Sequence, residues 1–352
     1  MDILDSVVIG AGQAGLSTSF HLAKRSVAHV VLDANDAPGG AWQHRWKSLT
    51  MHDVHGVADL PGLAAPSDAD TSLARDTVAA YFGTYEQQFH LPLVRPVQVA
   101  RVERDNDLFR VEGPEGTWLS RTLVNATGTW THPFIPYYLG ARTFTGRQIH
   151  TVDYPGPDAF AGQRVLVVGG GASAVQFLGE LAGIAETLWV TRRPPVWRDA
   201  GSFDQAAGRA AVALVEARVR EGYRPQSVVS VTGLALREQE RRAEALGAYD
   251  RKPMFARIEP SGVRWPDGHF EHVDAIVWAT GFRPAIAHLA PLHLRDERGG
   301  IRLDGTTAVA DPRVQLVGYG PSASTIGANR AGRSAAIGVT SALASLPMHL
   351  LA

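Results

Sequence analysis

Residues 6–15 read SVVIGAGQAG and residues 164–175 read RVLVVGGGASAV, so one strand-to-helix turn stands twice in the chain. Each copy opens as a short apolar run, breaks at closely spaced glycines and continues at helical spacing, through Leu16, Phe20 and Leu22 in the first. In the first copy Gly10 permits the tight turn out of the strand, Gly12 lets backbone approach a pyrophosphate, and Gly15 lets helix and strand pack closely. The helix start then offers an anion its unpaired N–H groups and the positive end of its dipole. The second copy puts Gly169, Gly171 and Ala174 at the same points, alanine being small enough for the third. The pattern predicts an α/β chain with two Rossmann-like dinucleotide-binding domains.

The strand after each turn distinguishes the two. HVVLD ends at Asp33, about twenty residues past the first turn, where a carboxylate accepts hydrogen bonds from a ribose 2′-hydroxyl and repels a 2′-phosphate. TLWVTRR ends without an acid, and the guanidinium groups of Arg192 and Arg193 suit a 2′-phosphate and adenine stacking. This favours NADPH, with NADH left open, as is an ordinary surface pairing of the two arginines. Two dinucleotides on one chain suggest that one is a flavin, FAD, which takes hydride from the other. A closing helix near Asn329 and Arg330 would aim its positive end at the flavin pyrimidine, or serve only as packing.

The second turn and its strands are expected as an insertion. Residues 1–157 form the first part of an FAD-binding domain, 158–282 the NADP-binding domain, and 283–352 the second part of the FAD domain. Pro155 to Pro157 is the expected hinge. Between the turns the pattern predicts a helix over 77–89 and strands in VQVARVE, LFRVEG and TLVNATG. Beyond the second turn it predicts helices over 209–222 and 236–246, strands around the turn PDG, and a final strand, loop and helix.

Composition excludes other classes. An apolar share of 45% with 20% charged residues is ordinary for a folded globular chain. A net charge of −1 offers no field for nucleic acid. The count of 0 cysteines removes disulfides, thiolate nucleophiles and iron–sulfur clusters, and no histidine spacing suggests a metal site. The start MDILDSVVIG lacks a signal-peptide pattern, and no apolar run reaches about 18 residues. A cytoplasmic protein without membrane contact is expected, and a homodimer stays open.

Further stretches resemble the class B flavoprotein monooxygenases, the group of flavin-containing and Baeyer–Villiger monooxygenases. They are GGAW (39–42), RWKSL (45–49), ATGTWTHPFIP (126–136) and WATGFRP (278–284). FTGRQIHTVDY matches that group's FxGxxxHxxxY motif at Phe144, Gly146, His150 and Tyr154. The resemblance implies cofactor contacts at Gly40, Trp42, Arg45, Thr127, Gly128, Thr280 and Gly281. It implies a site role for His150, as a positioning residue at the domain seam rather than a base. Aligned without gaps, His52 falls where many flavin-containing monooxygenases carry an active-region asparagine, and is the second catalytic candidate. Gly318-Tyr319-Gly320 stands where related flavoproteins often carry Gly-Asp, and Pro155 after Tyr154 is shared with some Baeyer–Villiger motifs.

The expected reaction begins with reduction of FAD by NADPH. Dioxygen adds at flavin C4a, and NADP⁺ shields the hydroperoxide from water until a small sulfide, amine or ketone takes the distal oxygen. Two alternatives differ in class: an NADPH-dependent flavin reductase or electron-transfer flavoprotein without oxygenation, and a non-catalytic flavin or nucleotide sensor.

Overall fold

The computed structural model describes residues 2–54, 56–67, 71–199, 205–226 and 233–347. Strand β1 (Ile3–Ile9), helix α1 (Gln13–Ala23) and strand β2 (His29–Leu32) make the first strand–helix–strand start. Val7 and Val8 are fully buried, as expected for a parallel strand covered on both faces. Helix α2 (Ala74–Gln88), β3 (Leu93–Val94), β4 (Arg101–Asp105), β5 (Leu108–Gly113) and β6 (Gly116–Asn125) follow. Only the end of VQVARVE is strand. The Val97 N–H goes to the Asp33 carbonyl and that of Gln98 to the Glu115 carboxylate, so neither is available to a ladder.

Then come β7 (Arg147–His150), β8 (Arg164–Val168), helix α3 (Ala172–Leu181) and β9 (Glu186–Val190). Strands β10 (Trp197–Asp199) and β11 (Leu234–Leu236) pair in parallel on either side of helix α4 (Gln205–Arg220). Because β11 takes Leu236, the following helix α5 (Glu238–Ala245) starts later than the pattern suggests. Strand β12 (Arg251–Lys252), the antiparallel set β13 (Arg257–Glu259), β14 (Gly262–Arg264) and β15 (Phe270–His272), and β16 (Ala275–Trp278) complete this unit. The tail adds β17 (Leu303–Asp304), β18 (Thr307–Ala308), β19 (Asp311–Leu316) and helix α6 (Thr325–Ala344); the last five residues of the sequence lie outside the described ones.

Among the described residues, nine strands form the first sheet, ordered β17-β18-β19-β6-β1-β2-β3 with the β4–β5 hairpin on β6. Five parallel strands form the second, ordered β12-β9-β8-β16-β7. Strand β19 runs parallel to β6, so the tail returns to the first sheet after the second is complete. Helix α6 packs on α1 at very short range: a Cβ on Gly332 would stand 2.5 Å from the Ser17 hydroxyl.

The expected boundary at residues 157 and 158 falls too late. Strand β7 already pairs in parallel with β16, His150 opposite Trp278, and Ile258 and Leu139 share a backbone hydrogen bond of 2.8 Å. Helix α4, inside the expected insertion, instead packs on the first unit, where its Val219 joins a core with Ile301, Leu316 and Tyr319. Apart from this excursion through α4, the chain crosses between the units through two adjacent segments that form a short antiparallel ribbon. In it Phe134 N–H donates to the Gly281 carbonyl at 3.0 Å, Arg283 N–H to His132 at 2.9 Å and Ala285 N–H to Gly128 at 2.9 Å. No helix among the described residues is long and apolar enough to cross a membrane.

Candidate cofactor and active site

Both glycine turns leave a helix start open. Gly12 caps α1 and Gly171 caps α3, neither helix has a side-chain cap, and a Cβ on either glycine would meet nothing within 4 Å. Space is therefore left beside each helix start, as an anion site requires. The flanking glycines are closed in. Gly10 has φ +102° and a Cβ there would stand 2.7 Å from the Ala126 carbonyl, while one on Gly15 would stand 1.9 Å from the Gly10 carbonyl. Gly169 presses on Ala279 in the same way, at 2.1 Å, and Ala174 is fully buried.

The two partner segments, Ala126-Thr127-Gly128 after β6 and Ala279-Thr280-Gly281 after β16, are thus counterparts, one per turn. Gly128 and Gly281 both have positive φ and open space where a Cβ would be. Thr127 donates to the Ala285 carbonyl at 2.6 Å and Thr280 to that of Phe134, so both hydroxyls fasten the ribbon.

Asp33 is buried at the end of β2. One oxygen accepts from Arg95 at 3.3 Å, the other from Asn35 at 3.1 Å, and Arg95 also holds Glu86. The carboxylate is held in place, with acceptor capacity left for a ribose. Arg192 and Arg193 lie exposed just past β9 and make no ion pair among the described residues. Arg251 braces that end through the Thr191 hydroxyl at 2.7 Å and carbonyl at 3.1 Å.

The seam gathers the remaining candidates. His150 donates from Nε2 to the Gly281 carbonyl at 3.0 Å and sets its edge on Phe282, ring centroids 5.1 Å apart; its Nδ1 is buried with no partner. Burial holds its pKa below the ordinary histidine value, against the smaller opposing pull of the Gly281 bond and Asp153, so the ring is neutral at pH 7. Phe282 stacks on Trp130 at 5.1 Å, and the Arg45 guanidinium lies 4.5 Å from the Trp130 ring and 5.3 Å from that of Trp42. Arg45 makes no ion pair among the described residues, its Nε is buried without a partner, and burial pulls its pKa down to about 10. A half-buried cation set on two indoles and lacking an anion among the described residues fits a site built to receive one.

Gly40 presses against Gly12, where a Cβ would come within 2.8 Å of its Cα, and so backs the first turn. Asn329, in the first turns of α6, donates to the Asp59 carbonyl, and Gln13 of α1 donates to that of Ala58 at 2.8 Å. The carbonyl oxygens of both amides are buried and unpaired. His52 is exposed, in a turn after the buried Met51, and is not drawn into the seam's aromatic cluster. Trp130 and Phe282 stand in the family-like stretches without an expected role, and no role was expected for Gln13, Arg95 or Glu180, which accepts from Trp46 and Ser48. A glutamine between turn glycines was the available signal for Gln13. Arg95 and Glu180 gave none, since their partners lie far away in sequence.

The family profile of the pyridine nucleotide-disulphide oxidoreductases matches residues 7–309. A solved flavin-containing monooxygenase from Stenotrophomonas maltophilia is 38% identical, with a TM-score of 0.84 over 97% of this chain and 99% of that one. Cyclohexanone monooxygenase shares the fold at 19% identity, with a TM-score of 0.64 over 96% of this chain and 88% of its own. An uncharacterized CzcO-like oxidoreductase of Geobacillus kaustophilus is 31% identical over 180 residues, 51% of this chain and 52% of that protein. The match therefore spans about half of that curated relative.

Proposed function

We propose that this chain, which belongs to the pyridine nucleotide-disulphide oxidoreductase family and within it to the flavin-dependent monooxygenases, uses NADPH and FAD to oxygenate small soft nucleophiles such as sulfides and amines, or ketones. One atom of dioxygen goes to the substrate and the other leaves as water, with NADPH supplying the two electrons. The disulphide chemistry in the family's description would need a cysteine pair, and the sequence has 0 cysteines.

The observation that carries this reading is the pair of open helix starts, each set against its own Ala-Thr-Gly segment, with a half-buried aromatic and cationic seam between them. FAD, when bound, supplies the redox and oxygen chemistry. The residues suited to FAD are Gly12, Gly40 and Gly128 around the first turn, Asp33 for the ribose, and Gln13 and Asn329 through their unpaired carbonyl oxygens. Gly171 and Gly281 suit the nicotinamide dinucleotide, with Arg192 and Arg193 outside β9 suited to a 2′-phosphate. Arg45 holds anionic charge at the seam. Trp42, Trp130 and Phe282 keep water out. His150 holds its proton on Nε2, toward the Gly281 carbonyl, and so orients that turn rather than moving a proton.

The test is to reduce the FAD-loaded protein anaerobically with NADPH and then mix it rapidly with oxygenated buffer. The expected result is a third absorbing species, distinct from reduced and oxidised flavin, that shortens in lifetime as a sulfide is added and yields sulfoxide. Direct return to oxidised flavin, with all NADPH recovered as hydrogen peroxide, would show a reductase instead.

A further inference from the structure

Glu180 is a half-buried carboxylate with no cation in ion-pair reach among the described residues. It stands in the last turn of α3, where a negative charge opposes the helix dipole, and burial raises its pKa above the ordinary glutamate value. Neither condition favours the helix. The side chain instead reaches out of its own unit: it accepts from the Trp46 indole N–H at 2.8 Å and from the Ser48 hydroxyl at 2.6 Å.

The grip is a built contact. The Trp46 ring meets Phe177 of α3 at 4.9 Å, and Tyr154, the last residue of the FxGxxxHxxxY stretch, stacks on Phe177 at 4.1 Å. Nearby, Gln176 donates to the Asp53 carbonyl at 2.9 Å and Arg237 to that of Val54 at 3.0 Å. Residue 45, directly before Trp46, is the arginine whose guanidinium sits between Trp42 and Trp130. Helix α3 therefore opens on the second nucleotide turn at Gly171 and, about three turns later, holds the segment that carries Arg45.

We infer that Glu180 is a positioning residue for flavin reduction: by holding Trp46 and Ser48 it ties the nicotinamide-nucleotide helix to the Arg45 segment of the flavin unit. The inference rests on the functional reading above. The phosphates bind at the other end of α3, so loosening this end changes how the two rings meet more than how tightly NADPH is held. Hydride transfer is sensitive to displacements of about 1 Å.

The experiment compares wild type with Glu180→Leu, Glu180→Gln and Ser48→Ala, each loaded with FAD. In anaerobic stopped flow with NADPH, the limiting rate of flavin bleaching should fall about tenfold or more in Glu180→Leu and less in Glu180→Gln. The half-saturating NADPH concentration should stay within about twofold. Ser48→Ala combined with Glu180→Gln should cost less than the two single losses together, as for one shared contact. A second readout needs no turnover: in ¹⁵N spectra of FAD-free protein, Glu180→Gln should shift the indole signals of Trp42 and Trp130, which it does not touch, as well as that of Trp46. Wild-type bleaching rates in both Glu180 variants, or unmoved Trp42 and Trp130 signals, would overturn the inference. So would a rate loss in Glu180→Gln matched by a proportional loss of NADPH affinity. If Glu180→Leu does not fold, Glu180→Gln decides alone. A wild type whose flavin NADPH does not bleach would overturn the functional reading and this inference with it.

Discussion

At the scale of single residues, the chemistry turns on charges left without partners. Arg192 and Arg193 stand exposed and unpaired by any carboxylate among the described residues, beside a braced Thr191. A hydrogen bond to a charged group contributes about 1.5–3 kcal/mol, so Arg192→Ala with Arg193→Ala should raise KM for NADPH about ten- to hundredfold. KM for NADH should change little, and steady-state kinetics with both coenzymes checks the contrast. Parallel losses with the two coenzymes would mean that the arginines hold the fold rather than a 2′-phosphate. Both these arginines and Asp33 are expected from a local signal, the residue type that follows a strand end, but the clamp of Asp33 by Arg95 gives no such signal: the two are 62 positions apart and no pattern in either neighbourhood announces the pair. His52, given its expected role by resemblance alone, lies exposed in a turn.

At the scale of elements, the two strand–turn–helix starts divide their glycines between packing and openness, and substitution should separate the two. Gly12→Ala adds a methyl to free space at φ −75°, so the protein should fold with its melting temperature nearly unchanged and lose FAD, which absorbance of the purified protein reads directly. Gly15→Ala puts a Cβ 1.9 Å from the Gly10 carbonyl, a backbone atom that cannot step aside, and should lower the yield of folded protein. A Gly12→Ala protein that stays yellow would refute the assignment of the first turn. Both starts could be recognised from sequence because spacing alone specifies them. Strand β7 could not: it is four residues long, sits at a sheet edge and exposes Arg147 and Gln148, so RQIH has no periodicity to show. Its place follows from pairing with β16, a non-local contact that moves the start of the second unit upstream.

At the scale of the whole molecule, stability should depend on pH through buried neutral histidines. His288 Nε2 donates to Asn125 Oδ1, 2.7 Å away, and so links the returning tail to the first sheet; burial, with a smaller push from His132, lowers its pKa to about 4. Between the unfolded value near 6.5 and about 4, the unfolded chain binds a proton that the folded one refuses. Stability therefore falls as pH drops through that window and is unaffected by this group above it. The loss approaches about 3 kcal/mol at the acid end. Melting curves from pH 8 to pH 4.5 should show the decline, and His288→Gln should flatten it; an equal slope in the variant would place the acid sensitivity elsewhere. Nothing in HLAPLHL marks which histidine is buried, so this property became visible only with the tail folded back.

The paired crossing at 128–134 and 281–285 constrains how the two halves can travel. Two strands laced by backbone hydrogen bonds at Gly128, His132 and Gly281 behave as a spine between two covers. Swinging the covers winds the spine without stretching either strand, but helix α4, whose Val219 sits in the first unit's core, has to stay with the first cover. His150 grips that lacing at Gly281, whereas Glu180 joins the covers at Trp46, outside the lacing. The histidine would thus steady the pivot while the glutamate works as the latch.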